Sequence, residues 1–220
     1  LLLSFSRTVA RVKCLTPRDV TSGVELLVVP AVRDSLQAGD PSRLYLLPSF
    51  IEEAKTYLDR YRLLTTSVQI REPQYTAIKV EADIVVEDFI TPNMVESRVI
   101  RCLQHFLSPI PILDEGSELR QLFPDDWYGW EFGKGLFLAE VSSLIQRVPG
   151  VKYVMNVKVS TRDLDPQKEA LRVDEIDPEE PLTQLKEQML WIPENGLVCS
   201  LQHQINIVEE PSFQAKGNGK

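Results

Sequence analysis

Hydrophobic and polar positions alternate most cleanly between residues 75 and 87. Ile78, Val80, Ala82, Ile84 and Val86 fall on one side there, and Lys79, Glu81, Asp83 and Glu87 mostly on the other. A period of two predicts a strand with one face on a core and one in water. Thr91-Pro92 follows as an N-cap and first-turn proline, and Val95, Val99, Cys102, Leu103 and Phe106 recur at helical spacing. They predict a helix that packs on this sheet and is ended by Pro109. Phe137, Val141, Leu144, Ile145 and Val148 predict a second helix, with Pro149-Gly150 as its stop. Val151, Tyr153, Met155, Val157 and Val159 then alternate with Lys152, Asn156 and Lys158, interrupted only by Val154.

Upstream, VARVKCL (residues 9–15) and VELLVV (24–29) flank a Pro-Arg-Asp turn and read as a hairpin. Phe50, Ala54, Tyr57, Leu58 and Tyr61 line one face of a helix expected over residues 50–64, with Ser49 and Glu52 in capping-box spacing. Residues 66–71 alternate again until Glu72-Pro73 interrupts them. The patterning thus predicts an α+β fold of two small modules, helices packed on mainly antiparallel sheets of the ferredoxin-like type. The first is β-β-α-β over residues 1–73, and the second is β-α-loop-α-β over residues 74–161, with a long loop at 109–135. Residues 162–187 carry nine acidic and four basic side chains with three prolines and read as a solvated connection. Residues 188–208, split by Pro-Glu-Asn-Gly, suggest a C-terminal β-hairpin, and 209–220 a flexible tail.

Composition narrows the function. The 220 residues are 43% hydrophobic, enough for a real core, and the net charge of −8 with a pI near 4.9 repels polyanions. No basic stripe offsets this, so nucleic acid is not an expected partner. No apolar run approaches the roughly 20 residues needed to cross a bilayer. Leu1-Leu2-Leu3 lacks the basic flank and cleavage site of a signal peptide. Cys14, Cys102 and Cys199 are widely spaced and odd in number, which suits buried free thiols in a reducing compartment.

Candidate chemistry is sparse. Gly129-Trp-Glu-Phe-Gly133-Lys134-Gly135 has the flavour of a phosphate loop, but Gly129 and Gly133 are one residue too close, and Gly135 stands where a magnesium-binding hydroxyl belongs. The preceding Pro-Asp-Asp-Trp-Tyr is no buried strand. His105 and His203 sit in no ligand cluster, and His105 near a helix end reads as a capping or surface residue. No nucleophile elbow is present, and paired carboxylates such as Glu52/Glu53 and Asp125/Asp126 read as solvated faces. Acidic residues on the wet strand face argue against an RNA-recognition sheet. Catalytic, cofactor and metal sites are therefore not expected. Phe123, Trp127, Tyr128, Trp130 and Phe132 cluster in and beside the loop, either as its own core or as anchors for a partner protein.

The succession PQYTAIKVEADIVV, a helix ending HFLSPI, and GWEFGKGLFLAEVSSLIQRVPGVKYVMNVKV resembles the C-terminal part of baseplate J-like proteins. These are wedge proteins of contractile phage tails and bacterial contractile injection systems. The likeness spans roughly residues 9–160, and VARVKCL, VELLVVP and LDRYRLLTTSVQIREP are similar to the module that precedes it in the family. Pro109, Gly129, Trp130, Phe132, Gly133, Gly150 and Val151 match the family pattern. Lys134 replaces the usual arginine, and ILDEGSELRQLFPDDWY replaces a shorter Gly-Gly stretch.

The resemblance implies a non-enzymatic structural role without cofactors. It implies a particle made and assembled in the bacterial cytoplasm, with this chain ending in its baseplate. The implied partners are other wedge subunits, a second copy or a paralogue, and spike or hub and sheath proteins. It further implies a native chain longer at its N-terminus, of which residues 1–8 are the remnant of an entry helix.

Within that frame, Tyr57, Arg60, Tyr61 and Arg62 of the first helix, and Trp127, Tyr128, Gly129, Trp130, Phe132, Gly133 and Gly135 of the loop, are the expected interface and structural residues. The glycines are expected to let a tight turn pass Trp130 and Phe132 into the core, while Gly135 frees the chain to begin a helix. A stand-alone interaction module and a nucleotide-binding enzyme are the competing readings.

Overall fold

The computed structural model describes residues 2–15, 23–63, 66–88, 90–164, 182–185 and 187–210. The expected Pro-Arg-Asp turn, most of the acidic connection and residues 211–220 of the expected tail lie outside them. The described chain is an α+β fold. A short helix α1 (Leu2–Phe5) leads into β1 (Val9–Leu15), which pairs antiparallel with β2 (Val24–Pro30), as the hairpin pattern predicts. Helices α2 (Arg33–Gln37) and α3 (Pro48–Leu58) cross to β3 (Val68–Arg71), which adds to β2 in parallel. Helix α3 presses Ala54 and Leu58 onto Leu2, Val28, Leu46 and Ile70, a small hydrophobic cluster of its own.

Two details of α3 differ from the sequence reading. The Ser49/Glu52 capping box does not form, because Pro48 takes the first helical position and Leu47 is the N-cap. The helix also stops at Leu58 rather than running to residue 64. Arg62 bonds the Asp59 carboxylate and the Thr66 carbonyl, which bends the chain back toward β3.

The larger sheet is built on the segment with the cleanest alternation. Strand β4 (Gln74–Val86) buries Val80, Ala82 and Ile84 and turns Lys79, Glu81 and Asp83 toward water. Antiparallel β6 (Val151–Leu164) lies on one side of it, and β7 (Thr183–Gln184) pairs with the far end of β6. Helices α4 (Pro92–Phe106) and α5 (Leu138–Gln146) cover the dry face, placing Val95, Val99, Cys102, Leu103, Val141, Leu144 and Ile145 in the main core. On the wet face, Asp83 accepts from Asn206 at 2.9 Å and Asn156 at 3.4 Å, a polar ladder across three strands.

The expected C-terminal hairpin is not what forms. Strand β8 (Met189–Leu190) pairs antiparallel with β5 (Leu136–Phe137), while β9 (Gly196–Ser200) and β10 (Gln204–Ile207) both run parallel to β4. The apolar run Leu197-Val198-Cys199 is fully buried, a central-strand pattern that a half-wet hairpin would not carry. Between β9 and β10 one extra residue bulges out, and the His203 ring fills the gap by accepting the Val80 amide at 3.1 Å.

The outer edge of β6 is guarded by a side chain. Gln146, at the end of α5, donates to the Lys152 carbonyl at 3.0 Å and accepts from the Val154 amide at 3.2 Å, the two groups a neighbouring strand would take. Gln146→Ala is expected to lower stability by about 1 kcal/mol in urea unfolding. It should also open the Val154 amide to hydrogen exchange, whereas Gln146→Glu, which keeps the acceptor, leaves that amide protected. Equal exchange in all three proteins would contradict the guard.

Candidate functional site

Residues 108–135 form a closed corner. The Trp130 amide donates to the Ser108 carbonyl at 2.8 Å, so the 21 residues between them leave and return at one point. This closure needs Gly129: its φ is +105°, and a Cβ there would lie 2.4 Å from the Pro109 oxygen. Trp130 is fully buried, meets Phe106 edge-on at 5.1 Å, and donates Nε1–H to the Lys134 carbonyl at 2.9 Å. The loop then folds on its own aromatics. Phe123 meets His105 at 4.5 Å and Trp127 at 5.6 Å, while Trp127 stacks on Phe106 at 6.0 Å.

His105 is at the centre of this loop, not at its surface. Its Nδ1 accepts from the Ile112 and Leu113 amides at 3.1 and 3.2 Å, which places the ring proton on Nε2. The Arg120 guanidinium lies 3.4 Å from Nε2. Burial first, then the Arg120 and Arg33 charges, lower the His105 pKa to about 4. Arg120 itself holds the Asp125 carbonyl at 3.0 Å, pinning the short 3₁₀ turn Glu118–Leu122 to the loop's far side.

Cations from the first segment grip the same loop. Arg11 of β1 donates to both the Pro109 carbonyl (2.5 Å) and the Trp130 carbonyl (2.7 Å), the two strands of the loop's neck. Its guanidinium lies 4.8 Å from the Tyr128 ring centre and 5.1 Å from that of Phe132. Burial lowers the Arg11 pKa from its ordinary value. Arg33 and Gln37 of α2 both donate to the Ile112 carbonyl, and Arg33 also reaches the Asp114 carboxylate at 2.7 Å.

The sequence reading overlooked Arg11, Arg33 and Gln37. Their signal is faint: Arg11 and Lys13 are cations recurring on one face of a strand whose second face turns out to be covered.

The expected site residues separate into two places. Trp127, Tyr128, Gly129, Trp130, Phe132, Gly133 and Gly135 all belong to the corner. Gly133 has φ +75° and donates its amide to the Gly196 carbonyl at 3.1 Å. Gly135 has a different reason from the expected one: a Cβ would lie 2.9 Å from the Leu190 backbone carbonyl, so it makes room for β8. Tyr57, Arg60, Tyr61 and Arg62 lie apart on α3 and the turn after it. Tyr57 stacks on Phe5 at 4.7 Å and meets Tyr61 at a tilt at 5.2 Å, and Tyr57 and Arg60 line a shallow surface groove with Glu52 and Glu53.

Lys134 is engaged rather than presented. Its Nζ lies 4.8 Å from the centre of the Trp130 ring and 3.5 Å from the Glu140 carboxylate, and Glu140 also caps α5 through the Phe137 amide. Among the described residues one serine meets a histidine, Ser200 Oγ to His203 Nε2 at 2.8 Å, and the contact points the wrong way for catalysis. Because Nδ1 accepts from Val80, Nε2 carries the proton and donates to Ser200, whose hydroxyl donates on to the Leu201 carbonyl. Among the described residues no group of three or more His, Cys, Asp or Glu side chains could hold a metal, and no helix is long and apolar enough to cross a membrane. Cys102 and Cys199 are buried, with burial raising the Cys102 thiol to about 12, whereas Cys14, expected inside, is exposed near the end of β1.

Both histidines act as neutral acceptors, so acid must act on them. Their folded pKa values, about 4 for His105 and about 3 for His203, lie below the unfolded value near 6.5. The stability they contribute is fully present above pH 6.5. It is lost as pH falls toward 4, where the unfolded chain binds protons that the folded chain does not, by up to about 1.4 kcal/mol per pH unit for each histidine. Urea unfolding between pH 7.5 and 5 should show this slope, and His105→Gln or His203→Gln should flatten it. A slope unchanged in both variants would contradict the assignment.

No protein-family profile matches the sequence, and no curated protein matches it. Among solved structures, one described as the cryo-EM structure of the anti-feeding prophage (AFP) baseplate, 6-fold symmetrised, superposes with a TM-score of 0.49 at 15% identity. The superposition covers 91% of this chain and 35% of that one, so this chain spans about a third of its neighbour's length.

Proposed function

We propose that the protein is a structural wedge component of the baseplate of a contractile injection machine. It assembles around the spike and couples baseplate rearrangement to sheath contraction. One observation carries the reading: five of the seven residues in which the sequence matches the baseplate J-like pattern, Pro109, Gly129, Trp130, Phe132 and Gly133, are those that shape the corner. Gly129 and Trp130 close it, Pro109 and Trp130 offer their carbonyls to Arg11, Phe132 flanks the guanidinium, and Gly133 joins it to the Gly196 strand. A motif kept for packing suits a part whose work is to hold shape.

Lys134 is committed to Glu140 and Trp130, which disfavours a phosphate-binding role for residues 129–135. In this reading residues 1–73 and 74–161 act as two modules locked at the corner. The Tyr57, Arg60, Tyr61, Arg62 surface and the exposed Tyr128 are subunit contacts. The partners are other wedge subunits, including a second copy or a paralogue, with spike or hub and sheath proteins nearby. A stand-alone interaction module would use the same surfaces without the particle.

Deleting the gene from the producing bacterium should leave contractile particles absent or without baseplates in negative-stain electron microscopy. Complementation with Lys134→Ala should restore them, as a packing lysine permits. Intact contractile particles in the deletion strain would refute the assembly role. Failure of Lys134→Ala to complement, despite a normal melting temperature, would revive the nucleotide reading.

A further inference from the structure

The ribbon of β5 and β8 has one face that the corner does not use. Leu190 and Ile192 pack on the main core, so Met189 and Trp191 alternate to the other side, where Phe137 is paired with Met189. Trp191 is 75% exposed and Phe137 45% exposed, whereas Trp130 is wholly buried. A tryptophan three-quarters exposed, on a ribbon that also exposes Phe137, is an anchor of the kind that protein interfaces favour.

Three exposed carboxylates flank the ribbon. Glu187 precedes the ribbon, Glu194 follows it, and Glu131 lies in the turn that packs against Glu194; all three are exposed. Among the described residues none of them forms an ion pair. The neighbouring cations are spent inward. Arg11 holds two carbonyls, Lys13 donates to the Glu194 carbonyl at 3.0 Å and lies over Phe132, and Lys134 pairs with Glu140. The ribbon thus presents an aromatic centre inside an acidic rim.

We infer that this face docks a different protein subunit, one that offers an apolar socket rimmed by Lys or Arg. Two copies of this chain meeting through the same face would bring carboxylates together, whereas a cationic rim neutralises Glu131, Glu187 and Glu194 while the socket takes the indole. The inference rests on the assembly reading above and adds the surface and the chemistry of the partner.

Hydroxyl-radical footprinting of Trp191, in the isolated full chain and in native contractile particles, tests it. Oxidation of Trp191 should fall at least fivefold in the particle. Trp191→Ala should fold with an unchanged melting temperature yet fail to enter particles, and Trp191→Phe should enter them. The double variant Glu187→Lys/Glu194→Lys should reduce incorporation. Equal oxidation in both states, with the chain present in the particle, would overturn this proposal alone. Absence of the chain from purified particles would overturn the assembly reading and this proposal with it. Dimers of the isolated chain in sedimentation velocity that vanish with Trp191→Ala would replace the foreign subunit with a second copy and so contradict it.

Discussion

A single guanidinium holds the neck of the long loop. Arg11 comes from the first strand and donates to the carbonyls of Pro109 and Trp130, about a hundred residues later in the chain, with Tyr128 and Phe132 against its faces. Backbone carbonyls turned inward at a loop neck need donors, and a charged donor in a partly dry site makes stronger bonds than a neutral one. Without Arg11, the closure at Ser108 and Trp130 would leave two acceptors facing aromatic rings. Trp130, Phe123 and His105 would then lose the frame that presses them together. Arg33 and Gln37 repeat the device one turn further on, at the Ile112 carbonyl. The first segment therefore closes on the loop's inward carbonyls with two arginines and a glutamine, and the main core draws Val29, Leu36 and Leu44 from it as well.

This arrangement differs from a phosphate loop in where its amides point. A phosphate loop turns its amides outward around an anion. Here the amides of Trp130 and Gly133 are spent on the Ser108 and Gly196 carbonyls, and the lysine is matched with a carboxylate. The glycines are set by close approach of backbone, to Pro109 at Gly129 and to the Leu190 carbonyl at Gly135. The same economy governs the histidines, which accept backbone amides and are held neutral by burial, the one spanning a loop and the other a bulge between parallel strands.

Much of the fold was legible because its signals are local. The alternation at 75–87, the apolar spacing of α4 and α5, and the stop at Pro149-Gly150 each depend on near neighbours, and each element stands close to where the pattern puts it. The misses are long-range or competitive. Pro48 displaced a capping box that spacing alone favoured. Leu197-Val198-Cys199 found β4 instead of a hairpin partner, because a run buried on both faces pairs wherever a sheet edge lies open, and nothing in the run says where. The aromatic loop was visible as a cluster, and the structure folds Phe123, Trp127, Trp130 and Phe132 into or against the main core, with Tyr128 left outside. Arg11 was invisible as a clamp, since a strand arginine reads as a wet face until something folds over it.

The most direct test of the joint is hydrogen-deuterium exchange on the full chain and its Arg11→Met variant, which keeps the side chain's length and removes its donors. If Arg11 locks the first strand to the loop neck, peptides covering β1 and peptides covering residues 108–135 should both exchange at least tenfold faster in the variant, while α5 stays protected. An increase confined to β1, with the loop as protected as before, would show that the corner closes without its clamp and would contradict this account.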